Sequence, residues 1–186
     1  MPREHFFDAV RAALRGGVDA VLVREKLMDS SRLLAFASRL RAITHEYGGA
    51  RLIVHTQADV ARAVAADGVH VTADSIGEIP AMRRWLDDVR MTVSASCHSE
   101  EELRAAADAG ADFALLSPVF PTQSHPGAPH LDVAPFLHMA GAAPLSVVAL
   151  GGITPENRDR LAGYGVAVIG AILDASGPES AARALL

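Results

Sequence analysis

The chain has 186 residues, half of them hydrophobic, with a formal charge of −5 and one cysteine. That length carries one substantial core and is short for two, so a single domain over 1–186 is expected. The negative charge gives no electrostatic reason to expect nucleic acid, no apolar run reaches the ~18 residues of a membrane span, and the lone Cys97 excludes an intrachain disulfide, as fits a reducing cytoplasm.

The first segment, MPREHFFDAVRAALRGG, reads as an amphipathic helix and lacks the uninterrupted apolar stretch of a signal peptide. One phrase then recurs: a helix stops at Gly or Asp-Gly and an apolar strand begins within a few residues. It stands as RGGVDAVLV (15–23), AADGVHVT (65–72), DAGADFALLS (108–117) and AGYGVAVIG (162–170). Strands are expected near 19–24, 51–56, 68–72, 92–96, 113–119, 146–150 and 165–169. Helical patterns separate most of them, at 30–46 after an Asp29-Ser30 cap, 58–66, 78–87, 100–109 after Ser99, and 155–161 after Thr154.

Alternating β and α units favour a closed barrel or an open doubly wound sheet. The G-x-G-x-x-G of a dinucleotide fold is missing after the first strand, so the expectation is an α/β fold, a (β/α)8 TIM barrel. The chain starts inside the first helix, which leaves the first strand of such a barrel missing. Bare edges at the first and last strands then predict closure by upstream residues or by a second copy, a homodimer.

Chemistry concentrates at strand ends. The strands at 146–150 and 165–169 run into Gly151-Gly152 and Gly170, where exposed amides form an anion nest. In (β/α)8 barrels a phosphate site recurs in the last two loops. In the strand near 19–24 the residues alternate sides, so Leu22, Arg24 and Lys26 share one parity. Two cations at a strand end suit a phosphate or pyrophosphate; a solvated charged turn is the competing reading. Cys97 reads as a small residue near a strand end, with nothing specific to activate it.

GGVDAVLVREK (16–26), LIVHTQADVA (52–61), DGVHV (67–71), SASCHSEEEL (94–103), GADFALLSPVFPTQSHPG (110–127), VALGGITPEN (148–157) and GVAVIGAI (165–172) stand in one register. In that register the chain resembles the thiamin phosphate synthase and thiazole tautomerase (TenI) superfamily. The resemblance implies that Arg24 and Lys26 face the diphosphate of a pyrimidine substrate. It implies further that Thr122 and Ser124 bind substrate phosphates, that Gly152, Ile169 and Gly170 cradle a thiazole phosphate, and that Ser96 lines the pyrimidine side. At other positions the chain departs from the family pattern. His55-Thr56 replaces Asn-Asp, Ser75 stands at the second aspartate with Asp74 one residue early, Leu22 replaces a glutamine, and His125 replaces a lysine. The resemblance assigns Mg²⁺ to those two aspartates, so Mg²⁺ is expected only if the chain is a synthase, with Asp74 as a lone anchor. The characteristic tautomerase histidine falls at Pro118.

Histidines cluster at the expected barrel mouth instead: His55, His70, His98 and His125. Imidazole titrates near neutral pH, so His125 or His70 is the expected general acid/base, and zinc binding ranks below proton transfer for want of diagnostic spacing. The resulting expectation is a cytoplasmic isomerase, a tautomerase acting on a thiazole phosphate by proton transfer, with no cofactor or metal. Two readings stay open: a divergent synthase joining a pyrimidine diphosphate to a thiazole phosphate with pyrophosphate release, and a barrel that binds a phosphorylated thiazole or pyrimidine without turnover.

Overall fold

The computed structural model describes residues 4–122, 127 and 129–186. It opens with α1 (Glu4–Arg15) and continues through β1 (Ala20–Val23), α2 (Ser30–Glu46), β2 (Arg51–His55), α3 (Ala58–Ala63) and β3 (Gly68–Val71). A short 3-10 turn (Ala73–Glu78) leads into α4 (Ile79–Leu86), β4 (Thr92–Cys97), α5 (Glu100–Asp108) and β5 (Phe113–Leu116). After the loop come α6 (Val133–Ala142), β6 (Ser146–Leu150), a 3-10 turn (Arg158–Leu161), β7 (Gly165–Ala167), α7 (Gly170–Leu173) and α8 (Pro178–Arg183).

All seven strands are parallel and pair in chain order from β1 to β7. Right-handed crossovers between sequential neighbours put every connecting helix on one face, so the sheet curls around its other face. The result is an α/β, TIM-barrel-like fold. Among the described residues no ladder joins β7 back to β1, and these two strands are the sheet edges. On the helical side α1 packs against α8 so closely that a Cβ on Gly16 would lie 2.5 Å from the carbonyl oxygen of Glu179.

Strand parity divides the side chains between two environments. Leu52, Val54, Val69, Val71, Val93, Ala95, Ala114, Leu116, Val147 and Ala149 belong to the contiguous core between sheet and helices. Ile53 and Leu115 are equally buried yet lie outside that core, on the concave side that His70 and Ser94 share by register. This concave side is the lumen.

The ends of the strands are tied differently. Below the sheet, Asp67 precedes β3, accepts the Leu52 amide at 2.8 Å and pairs with Arg41 of α2 at 2.5 Å. Asp112 repeats the device before β5, with the Val93 amide at 2.7 Å and Arg83 of α4 at 2.6 Å. Each clamp fixes one strand's register to the preceding helix.

Several element boundaries differ from those the sequence suggested. β5 stops at Leu116, because Pro118 lacks the N–H a strand needs. The expected helix at 155–161 is only a 3-10 turn: the Arg158 amide makes one helical bond to the Thr154 carbonyl at 3.0 Å, but the Arg160 and Ala162 amides then bond three residues back, to Asn157 and Asp159, while the Asn157 side chain accepts the Thr154 amide and donates to the Gly152 carbonyl, both at 2.9 Å. α6 carries no side-chain N-cap bond, so its start left no signal in the sequence.

Candidate active site

The parallel strands bring all their C-terminal ends to one rim. Arg24 and Lys26 follow β1 there, both exposed, and neither makes an ion pair or hydrogen bond among the described residues. Half-buried His55 ends β2 beside them. Its pKa is pushed below the usual imidazole value first by burial and then by the positive charges of Arg24 and Lys26. The next residue, Thr56, holds a left-handed backbone with φ of 59° and donates its hydroxyl to the His55 carbonyl at 2.8 Å. A β-branched residue at positive φ is costly, and such strain gathers at functional rims.

Deeper in the lumen, His70 is 2% exposed and its ring lies 5.9 Å from that of His55. Its Nδ1 is 2.9 Å from Ser94 Oγ and its Nε2 2.8 Å from Ser96 Oγ. Burial, then the neighbouring His55 and Arg24, push its pKa down to about 3. A ring that stays neutral through the physiological range, with both nitrogens engaged, suits positioning better than proton donation.

Across the rim, β6 ends in Gly151 and Gly152, with φ of 101° and 64°. The Val119 and Phe120 amides donate to the carbonyls of Leu150 and Gly151, so the chain after β5 lies directly against this turn. A Cβ at Gly152 would meet the Pro121 carbonyl oxygen at 2.3 Å, which makes glycine a packing requirement as well as a route for an anion. Asn157 braces the turn and is absent from the residues expected from the sequence, although the T-P-E-N spacing after Gly-Gly is a signal that could find it.

The remaining expected residues are placed as follows. Thr122 lies in the loop facing the Gly152 turn, while Ser124 and His125 fall outside the described residues. Ile169 is 60% exposed just before α7. A Cβ at Gly170 would lie 2.8 Å from Asp174 Oδ2, so an anion there would face a carboxylate; Gly151-Gly152 is the better cradle. His98 is spoken for, its Nδ1 donating to the Ser117 carbonyl at 2.7 Å. Burial raises the Cys97 thiol to about 12, which removes it as a nucleophile.

Mg²⁺ does not fit this donor set. The positions that resemblance assigns to its carboxylates hold Thr56 and Ser75, the Thr56 hydroxyl is already engaged, and Asp74 is exposed on a 3-10 turn. No group of three or more His, Cys, Asp or Glu that could hold a metal occurs among the described residues. Arg24 and Lys26 also set a positive field where a hard dication would need acidic oxygens.

Comparison with known proteins places the chain in a family. The family model described as thiamine monophosphate synthase matches residues 1–174. A thiamine-phosphate synthase from Roseiflexus castenholzii is 39% identical over 184 residues, covering 96% of this chain and 78% of that protein. One from Chromobacterium violaceum is 39% identical over 185 residues, covering 96% and 86%. Among solved structures, a thiamine phosphate pyrophosphorylase from Pyrococcus furiosus superposes with a TM-score of 0.86 at 31% identity, covering 96% of this chain and 86% of that one. The two sequence relatives carry the name of synthases, which overturns the expectation of a tautomerase and of an isomerase: seven motifs in register outweigh the missing acidic pair. With a family model spanning nearly the whole chain and relatives of this identity, the chain belongs to the thiamine monophosphate synthase family.

Proposed function

We propose that the protein is a transferase of the thiamine-phosphate synthase type. It joins a pyrimidine methyl diphosphate to a thiazole phosphate and releases pyrophosphate. The observation that carries this reading is the rim itself, with two cations after β1 that have no counter-ion among the described residues and a glycine-lined turn after β6 at the same end of one curled sheet.

In this reaction the bond between the pyrimidine methylene carbon and the diphosphate oxygen breaks, and the oxygen leaves with the electron pair. The thiazole nitrogen lone pair forms the new C–N bond, and that ring becomes a cation. No general base is required to remove a proton from the thiazole nitrogen, which carries none. The protein's task is to bind two ligands face to face and to meet the charge that collects on the leaving group. Arg24 and Lys26 serve the diphosphate, Gly151-Gly152 and Thr122 the thiazole phosphate, and His55 and Ser96 border the pyrimidine between them. Ser124, His125 and Ile169 complete the phosphate end in this reading, and Gly170, which faces the Asp174 carboxylate, is left out of it.

The test is to supply both substrates and measure pyrophosphate release and thiamin phosphate formation, in chelator and again with Mg²⁺. Formation in both conditions supports the reading together with the donor-set argument. Binding of either phosphate ester with no coupled product would overturn it in favour of a barrel that binds without turnover.

The same reading treats residues 1–186 as one domain, supported by a contiguous core that runs from Phe7 to Leu185. It treats the gap between β7 and β1 as a strand position of a (β/α)8 barrel, closed by residues upstream of Met1 or by a second copy of the chain. The support is the pair of unpaired sheet edges.

A further inference from the structure

Three polar side chains stand in line inside the lumen, and only one placement of hydrogens satisfies all of them. His70 is neutral and therefore carries one ring N–H. If that hydrogen sat on Nδ1 it would donate to Ser94, and the Ser94 hydroxyl hydrogen would then need an acceptor of its own. Ser94 is fully buried, and among the described residues its hydroxyl has no hydrogen-bonding neighbour other than His70. A buried donor with no acceptor costs ~1–3 kcal/mol. In the opposite placement the Ser94 hydroxyl donates to Nδ1, the Nε2–H donates to Ser96 Oγ, and no buried hydrogen is left over.

Ser96 differs from Ser94 in one respect. It is part-buried, sits one strand repeat nearer the rim, and has no other partner among the described residues. Once its oxygen accepts from His70, its own hydrogen is free to point into the lumen.

We infer that Ser94 locks His70 as the Nε2–H form and that His70 thereby occupies one acceptor site of Ser96 and turns its hydroxyl hydrogen toward the lumen, favouring a flat heteroaromatic ligand that presents a bare ring nitrogen to it. The neighbouring lumen residues Ile53 and Leu115 are apolar, so the ring supplies the area and the nitrogen supplies the address. His70 is here a positioning residue, and Ser96 makes the contact. The ligand half rests on the reading of the lumen as the pyrimidine subsite; the hydrogen placement does not.

Two measurements on the whole protein test it. Nitrogen-15 NMR of the histidine-labelled protein, with the His70 signals assigned by their loss in His70→Gln, is expected to show one neutral Nε2–H form from pH 5.5 to 8. In Ser94→Ala, a small change at a site that tolerates it by volume, the spectrum is expected to become a mixture of both forms. A pure Nδ1–H form, or titration of His70 within that range, would overturn the placement. For the ligand, binding of 4-amino-5-hydroxymethyl-2-methylpyrimidine is compared with its two pyridine analogues, each with one ring nitrogen replaced by C–H. One analogue is expected to bind ~10-fold or more weaker to the unmodified protein and within about twofold to Ser96→Ala. Equal binding of all three probes to the unmodified protein would overturn the selection. Absence of binding by any of them would overturn the ligand half and the pyrimidine reading together, while lack of coupled turnover with the discrimination intact would count against the synthase reading alone.

Discussion

The two ends of the curled sheet handle charge in opposite ways. At the N-terminal end, Arg41 meets Asp67 and Arg83 meets Asp112, and each aspartate also accepts a strand amide. At the C-terminal end, Arg24 and Lys26 have no counter-ion among the described residues, two histidines are held below their usual pKa, and Thr56 sits in a strained backbone. The first end spends its charges on strand register, whereas the second leaves them for something that is not part of the chain. In a barrel-like fold, where loops at the C-terminal ends carry chemistry and the opposite face carries stability, that asymmetry is a physical pointer to the site.

The comparison can be broken most directly at the rim cations. Arg24→Gln with Lys26→Gln is expected to lower synthase turnover ~10²–10³-fold, the range seen when charge-stabilising donors are lost, and to leave the urea midpoint nearly unchanged. A large loss of stability would place these cations with the structural pairs below. The reciprocal change, Asp67→Ala, strands Arg41 and the Leu52 amide in a part-buried position and is expected to cost ~2–3 kcal/mol in urea unfolding. Pyrophosphate affinity of the folded fraction should not move; if it does, the two ends are not separable.

Acid provides a third probe. The folded pKa of His70, about 3, lies below its unfolded value of 6.5, so between these limits the unfolded chain binds more protons and stability falls as pH drops. At about 1.4 kcal/mol per unit, acidification from pH 6.5 to 5 is expected to cost ~2 kcal/mol. His70→Gln should flatten that limb of the stability profile; an unchanged limb would show that other groups carry it. The smallest expected effect is at the strained turn. Thr56→Gly relieves the left-handed strain at φ of 59° and should raise stability by about 0.5–1 kcal/mol, and a loss instead would mean the hydroxyl bond to His55 outweighs the strain.

Local chemistry made much of the fold legible in the sequence. The Asp29 side chain accepts the Arg32 amide at 2.9 Å and that of Ser99 accepts the Glu102 amide at 3.2 Å, as their cap positions foretold, and all seven strands stand where apolar runs predict them, four of them after the recurring glycine stop. α6 was not legible, since its start has no cap and Asp132 enters it at φ of 63°. The chemistry was read less well than the fold: absent carboxylates argued for a proton-transfer enzyme, and His70 stood among its candidate acids. Nothing in the string G-V-H-V states that this histidine is 2% exposed between two serines.

The sequence by itself determined the alternation of β and α units, the glycine turns, the cations after β1 and the family. These follow from residues close in the chain, whose propensities, caps and spacing act locally. Only the tertiary structure decided which end of the sheet neutralises its own charges and that the Ser94, His70 and Ser96 side chains from adjacent strands share hydrogen bonds in one lumen. Those properties depend on burial and on strand register between residues about 25 positions apart, which hydrogen bonding across the sheet sets and no local pattern encodes.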